Sequence, residues 1–289
     1  MKKQQKHYPP YLKVYITIAV VIVTMLLTWI TLKASGYVYQ TVEYENGTEA
    51  TFIGRIDGNG KHLSGKVTMP GGEIIKFKDG VMLRANGDKY VGEYEKFEYH
   101  GSGILYLASG DVFEGTFDHG EIIGFGKYTY ATGEKFEGYI SNGRKNGLGK
   151  FTWSDGSVYE GNFKDDYQHG TGTITFADKT SYSGEFFKGM KHGKGTYTYA
   201  DGSVYTGDFF RDLRHGTGTY VWTDGAHYVG DFYCDIRQGE GRYTWPNGDV
   251  YEGDFYENTA TGYGLFIWNS GRYSYEGYFK NGEVVKQYN

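Results

Sequence analysis

Four histidines in this 289-residue chain, His100, His169, His192 and His215, stand at one recurring place, each just before a Gly-x-Gly pair. Repeated imidazoles are the raw material of a metal site. Carried on successive hairpins, however, they would lie about 10 Å apart by strand spacing, and bonds to one ion are only about 2 Å long. Asn146 and Gln238 fill the same place elsewhere, so polar turn residues are expected. Acids recur as well: Glu114, Glu137, Glu160, Glu252 and Glu276 on one side of a glycine, and Glu185, Asp208, Asp231 and Asp254 on the other. Paired carboxylates can hydrolyse glycosides or ligate calcium. Catalysis needs one non-repeating constellation, whereas these acids recur in nearly every unit and read as a solvated face. The one cysteine, Cys234, rules out an intrachain disulfide and a thiolate zinc site. No Ser-His-Asp set or phosphate loop is present, and no catalytic residue, metal or cofactor is expected. Asn46-Gly47-Thr48 matches a glycosylation sequon, but Asn-Gly is equally a hairpin turn, the reading preferred here.

The residues suited to binding are aromatic. Phe, Trp and Tyr make up 18% of the chain, too many for disorder, and Gly reaches 46 without the every-third-residue spacing of collagen. High glycine with high aromatic content points to sheet. Tyr197, Tyr220, Tyr243 and Phe266 recur at one position, and Trp153, Tyr199, Trp222, Trp245 and Trp268 two residues further on. These two columns fall on one face of a strand and form the candidate binding ladder.

The columns belong to a repeat. A Tyr/Phe-x-Gly-x-aromatic unit is centred on Gly92, Gly115, Gly138, Gly161, Gly184, Gly207, Gly230, Gly253 and Gly277, spaced by 23 residues seven times and then by 24. Eleven residues after each of the first eight comes a second glycine, from Gly103 to Gly264. Alternation such as Tyr197 and Tyr199 against Thr196 and Thr198 marks strands, and Asp201-Gly202 and Asn247-Gly248 mark turns. The pattern resembles the MORN repeat family, with tandem YEGxF…GxGxxxxxxG units. That resemblance implies an elongated antiparallel array of stacked hairpins, no catalytic activity, and a role as a scaffold or membrane-associated organiser. Nine units cover residues 90–289 and would extend roughly 85 Å at strand spacing. Residues 52–89 hold degenerate units around Gly54, Gly65 and Gly72, the second about eight residues short.

Val14 to Leu32 is a charge-free apolar run long enough for a transmembrane helix. Lys2, Lys3, Lys6 and Lys13 precede it, while Glu43, Glu45 and Glu49 follow Lys33, so the bias places residues 1–13 in the cytoplasm. An uncleaved signal-anchor is preferred to a cleaved signal peptide, because the run exceeds a usual h-region and Ala34-Ser35-Gly36 is a poor cleavage site. Residues 33–51 then form a linker with the first strands. Thr17, Thr24, Thr28 and Thr31 share one helical face that could meet a partner helix, although threonines in such helices commonly bond their own preceding turn.

The expected fold is therefore all-β, an elongated antiparallel hairpin array preceded by one transmembrane helix. It places a single-pass protein in the plasma membrane with its repeats outside the cytoplasm. Residues 1–33 hold five lysines and no acid, so of the formal −5 total the remainder carries −10. That balance disfavours nucleic acid and anionic phospholipid as ligands of the repeats. The expected partner is a protein, such as a membrane complex, with a cell-surface glycan as the alternative through exposed rings. Oligomeric state is not specified.

Overall fold

The computed structural model describes residues 10–271 and 273–285, so most of the basic tail and Lys286 lie outside the described residues. The chain divides into two compact units, residues 1–110 and 111–289.

In the first unit, helix α1 (Pro10–Ala34) precedes strands β1 (Tyr37–Glu43), β2 (Glu49–Ile56), β3 (His62–Thr68), β4 (Ile74–Lys78), β5 (Val81–Leu83), β6 (Lys89–Glu95) and β7 (Glu98–Tyr106). Each strand pairs antiparallel with the next. The helix is long and apolar enough to cross a membrane, and none of its apolar window is buried against protein. Thr24, Thr28 and Thr31 donate their hydroxyls to Val20 O, Thr24 O and Leu27 O at 2.9, 2.6 and 2.8 Å, so the helix itself satisfies them. Asn46 and Gly47 form the β1–β2 turn, with Asn46 Oδ1 accepting from Thr48 N at 3.1 Å. The shortened second unit is accommodated by β4 and β5, which are only five and three residues long.

His62 sits at the centre of this unit, in edge-to-face contact with Phe52 at 4.2 Å and beside Phe77 and Phe97. Its Nδ1 lies 2.8 Å from Tyr94 Oη and its Nε2 3.1 Å from Gln40 Oε1. Burial holds its pKa below the ordinary 6.5.

The second unit is built the same way from β8 (Val112–Asp118), β9 (Glu121–Thr129), β10 (Lys135–Ser141), β11 (Arg144–Thr152), β12 (Val158–Lys164), β13 (Tyr167–Thr175), β14 (Ser181–Phe187) and β15 (Met190–Thr198). It continues with β16 (Val204–Phe210), β17 (Leu213–Val221), β18 (His227–Tyr233), β19 (Ile236–Thr244), β20 (Val250–Tyr256), β21 (Thr259–Ile267), β22 (Ser274–Lys280) and the two-residue β23 (Glu283–Val284). Two kinds of turn alternate. After the second strand of a repeat comes the expected glycine turn: Gly202 N donates to Tyr199 O at 3.0 Å with Gly202 at φ +90°. After the first strand come two-residue turns with both residues at positive φ, as in Arg211 (52°) and Asp212 (71°), the conformation that matches strand twist.

Register is set by glycine meeting glycine. Gly207 faces Gly218 across β16–β17, and the same pairing recurs at Gly184–Gly195, Gly230–Gly241 and Gly253–Gly264. Tyr205 lays its ring over this bare patch. A Cβ on Gly207 would come within 2.5 Å of Tyr205 Oη and of Gly218 Cα. The ring is fully buried, and its hydroxyl donates to Asp208 O at 3.0 Å. Phe209, two residues past the glycine, meets Tyr205 edge-on at 5.1 Å, and the next repeat's Phe232 meets the same ring at 5.0 Å. Tyr228, Phe255, Tyr251 and Phe279 continue the alternation at 5.0, 5.3 and 4.9 Å. This spine comes from the first strand of each repeat and is the core, whereas the expected columns on the second strand are half-buried beside it or, at Trp268, exposed. The difference arises because only the ring two residues before the first-strand glycine, tyrosine or phenylalanine, can lie flat across the pair.

Gly207→Ala is expected to cost about 1–3 kcal/mol by overpacking, seen as faster hydrogen exchange in β16 and β17, whereas Thr206→Ala on the exposed face should leave those amides nearly unchanged. Burial also pushes the phenols of Tyr159, Tyr228 and Tyr251 up to about 12. The folded state therefore holds protons that the unfolded state releases above about 10. The contribution of these tyrosines should be constant below pH 10 and fall as pH rises towards 12, with tyrosinate absorbance of these rings appearing only as the sheet melts. His62 has the opposite sign. Its folded pKa is depressed, so its contribution is complete above 6.5 and declines as pH falls below it. His62→Phe should remove that acid dependence from amide exchange in β2 and β3.

Candidate functional site

In the second unit, the half-buried rings of the second strands run beside the spine as a continuous stripe. Tyr197, Tyr199, Tyr220, Trp222, Tyr243, Trp245, Phe266 and Trp268 follow one another with centroid separations between 4.4 and 5.4 Å. Trp153 meets Phe151 edge-on at 4.8 Å, preceded by Tyr130 and Tyr128. Four members of the proposed ladder, Trp153, Tyr199, Trp222 and Trp245, are thus half-buried and lean on neighbouring rings, while Trp268 is 42% exposed.

A series of cations occupies the seam between spine and stripe. Lys145, Lys191, Arg214 and Arg237 share one repeat position, the second residue of β11, β15, β17 and β19. Arg214 lies over the spine rings Tyr205 and Phe232 at 5.7 and 5.4 Å and over the stripe ring Tyr220 at 5.4 Å. Lys191 lies 4.7 Å from Tyr197 and within 6.0 Å of Tyr182 and Phe209. Lys145 covers Tyr130, Phe136 and Phe151. Arg237 has four rings about it, Trp222, Tyr228, Tyr243 and Phe255, at 5.3–5.6 Å. Each such contact is attractive, more so where water is partly excluded.

The positive-φ turns hold these cations in place. Asp212 Oδ1 accepts from Lys191 N at 2.9 Å, and Asp212 N donates to Lys191 O at 3.0 Å. Asp235 does the same for Arg214 and also accepts from its Nε at 3.0 Å, while Arg214 Nη2 donates to Asp235 O at 2.8 Å. The turn of one repeat therefore clamps the strand of the repeat before it. Burial lowers the pKa of Lys191, and Asp212 and Asp235 act in the other direction.

The cation series escaped the sequence reading, because lysine and arginine are presumed solvated. Its one visible signal was a basic residue recurring at 23-residue spacing before the histidine position. The histidines themselves are a correction. His169, His192 and His215 are not in turns but in β13, β15 and β17, with rings 5.1–5.8 Å from Phe187, Phe210 or Tyr233. They belong to the strand because the two-residue turn ends sooner than a polar loop would. The acids lie on the face opposite the stripe and are partly used there. Glu160 pairs with Lys150 at 2.6 Å, Glu252 with Arg242 at 2.9 Å, and Asp208 with Lys194 at 2.6 Å.

Residues 90–271 match the MORN repeat profile as eight consecutive units, 90–112, 113–135, 136–158, 159–181, 182–204, 205–227, 228–250 and 251–271. The chain belongs to the MORN repeat family. The ninth motif, at Gly277, lies beyond the matched MORN units and supplies β22, closed by the short β23. No match was found among curated proteins. Among solved structures, the array is similar to the TCP domain of Drosophila melanogaster SAS-4 (dCPAP), solved with a proline-rich motif of Ana2. That likeness has 16% identity, covers 54% of this chain and 84% of that one, and has a TM-score of 0.35. It is also similar to the TCP10 domain of Danio rerio CPAP, with 12% identity, 74% and 94% coverage and the same TM-score of 0.35. Likenesses at this level carry no functional conclusion for the MORN array.

Asp235→Asn keeps an acceptor for Arg214 N but removes the partner charge. It is expected to cost about 1 kcal/mol, since the pair is partly exposed, measured as a shift in the urea midpoint and in the protection of β17–β19 amides.

Proposed function

We propose that this MORN protein is a single-pass, non-catalytic membrane protein that binds a protein partner through the aromatic face of its repeats, outside the cytoplasm. The observation that carries the reading is the unbroken stripe from Tyr197 to Trp268 with its set cations. Tyrosine, tryptophan and arginine are the residues that dominate protein interfaces, because they offer large contact area with little side-chain freedom to lose. Membrane anchoring is supported by the apolar, unburied α1 and by Lys33 at its end, with Nζ 5.1 Å from the Trp29 ring, a pairing suited to a membrane–water interface. The lysine bias before α1 supports the orientation. A glycan would need flat accessible rings, and Trp268 is the most open of the candidate ladder.

Cross-linking and capture from intact membranes, with the full chain and with a form lacking residues 1–36, should recover a common protein partner. Replacing Trp222 and Trp245 by Ala should weaken that recovery by about 2 kcal/mol or more in binding free energy. Failure of both forms to retain any partner reproducibly removes the reading. Cys234 is exposed, so a membrane-impermeant thiol reagent reports topology directly. Labelling on intact cells is expected, and labelling only after permeabilisation reverses the orientation.

A further inference from the structure

Along the seam, only one cation of the arginine pair has been given its counter-charge. Arg214 faces Asp235, whose carboxylate takes both the backbone N–H and Nε. One repeat on, Arg237 is held by the same geometry from Asn258. Oδ1 accepts from Arg237 N at 2.9 Å, and Asn258 O accepts from Nη2 at 2.7 Å. The turn is superposable in kind, with Glu257 and Asn258 at φ 48° and 67° against Cys234 and Asp235 at 50° and 69°. What is missing is the charge. Among the described residues no carboxylate lies within 4.0 Å of the Arg237 guanidinium, and its Nε and Nη1 make no hydrogen bond to protein. Lys191, the third member of the central run, has Asp212 and Asp235 acting on it, whereas burial opposes the charge of Arg237 and the groups acting in the other direction are the phenols of Tyr243 and Tyr228.

Partly buried cations are ordinarily paired, since rings offset only part of the hydration they lose. A guanidinium that spends one Nη on a carbonyl and keeps its remaining N–H groups matches the fork geometry that carboxylates take in two parallel bonds. The surroundings select what carries that carboxylate. Trp222, Tyr243 and Phe255 flank the guanidinium, so the acid must be set among apolar groups, and the residues beyond Lys33 carry a net −10, so a diffuse polyanion is repelled by the array as a whole. We propose that Arg237 is a carboxylate seat: it takes the side chain of an aspartate or glutamate in the protein segment that binds the aromatic face. The proposal rests on that face being the binding face, and it adds the chemistry of one contact point.

The test uses the full-length protein in detergent and reads its tryptophan emission, because Trp222 lies against the seat and Trp245 packs on Tyr243, which also borders it. The probe is a short, otherwise uncharged tyrosine-rich peptide with one glutamate, compared with the same peptide carrying glutamine in its place and with vesicles containing phosphatidylserine. Two variants are needed. Arg237→Gln removes the seat, and Asn258→Asp fills it from within while copying the arrangement already present at Arg214 and Asp235, so it should fold at least as well as the parent. The glutamate peptide is expected to bind the parent, and its half-saturation to rise about tenfold in both variants, with no such change for the glutamine peptide. Equal binding to the parent and Asn258→Asp overturns the seat. If that binding is still lost in Tyr220→Ala, the aromatic face stands as the binding face; if it is indifferent to Tyr220 as well, the face falls too. An Asn258-dependent response to the vesicles alone assigns the seat to a lipid headgroup and overturns the protein carboxylate.

Discussion

A tyrosine ring resting on two facing glycines is the contact on which the remaining architecture depends. A single-layer sheet has no second layer to bury its apolar face, so each repeat must supply its own cover. Removing both Cβ atoms at Gly207 and Gly218 lowers the floor by about one side-chain layer, and Tyr205 drops into that space flat. Once flat, the ring presents its edge to Phe209 of its own repeat and to Phe232 of the next. From Tyr159 to Tyr251 each tyrosine ring of the spine is thereby shared between neighbours in edge-to-face geometry, one that aromatic pairs prefer. Gly54 and Gly65 reproduce the arrangement beneath Phe52 in the first unit, although the motif around them has decayed. The niche is thus more tenacious than the consensus that advertises it.

From that floor the second tier follows. With the spine buried, the rings of the second strand stand at its margin, half-covered, and the gap between the tiers is too narrow for another ring and too apolar for a hydrated charge. Long side chains with a charged tip fit, provided the tip faces aromatic surface and an anchored acceptor. The anchoring comes from residues forced into left-handed conformation. Asp166, Asp212, Asp235 and Asn258, at φ between 67° and 73°, reach back to the preceding repeat. Aspartate and asparagine tolerate this conformation better than other side chains, and here the strained residue is also the one that bonds.

Much of this was legible in the residues. The 23-residue glycine register defined the hairpins and their number, and Asp-Gly and Asn-Gly marked one of the two turns. The other turn was hidden because Arg211-Asp212 and Cys234-Asp235 carry no glycine, and a positive φ in such residues is a property of the strand pair they join. Depth was hidden too. Tyr199 and Tyr205 are equally aromatic and share a face, yet only Tyr205 is opposite a pair of absent side chains, and burial there is decided across the strand and not along it. The cations were invisible for the converse reason, since nothing local distinguishes Lys191 from the solvated Lys194 three residues later.

The turn at residues 268–273 shows how such an array changes length. Where other repeats close with a bond from Tyr199 N to Ser203 O or Trp245 N to Asp249 O, this one closes from Trp268 N to Tyr273 O, one residue wider. The 24th residue of that repeat is absorbed entirely in the loop, and Gly264 still meets Gly277. An odd residue placed within a strand would instead turn every subsequent side chain to the opposite face. The gene can therefore tolerate small errors at its loops and gain or lose whole units within the regular run, whereas a partial unit, as in residues 72–89, leaves strands of only five and three residues. Copy number becomes a heritable dial, adjusting how many rings and cations are displayed while leaving the chemistry of each repeat intact.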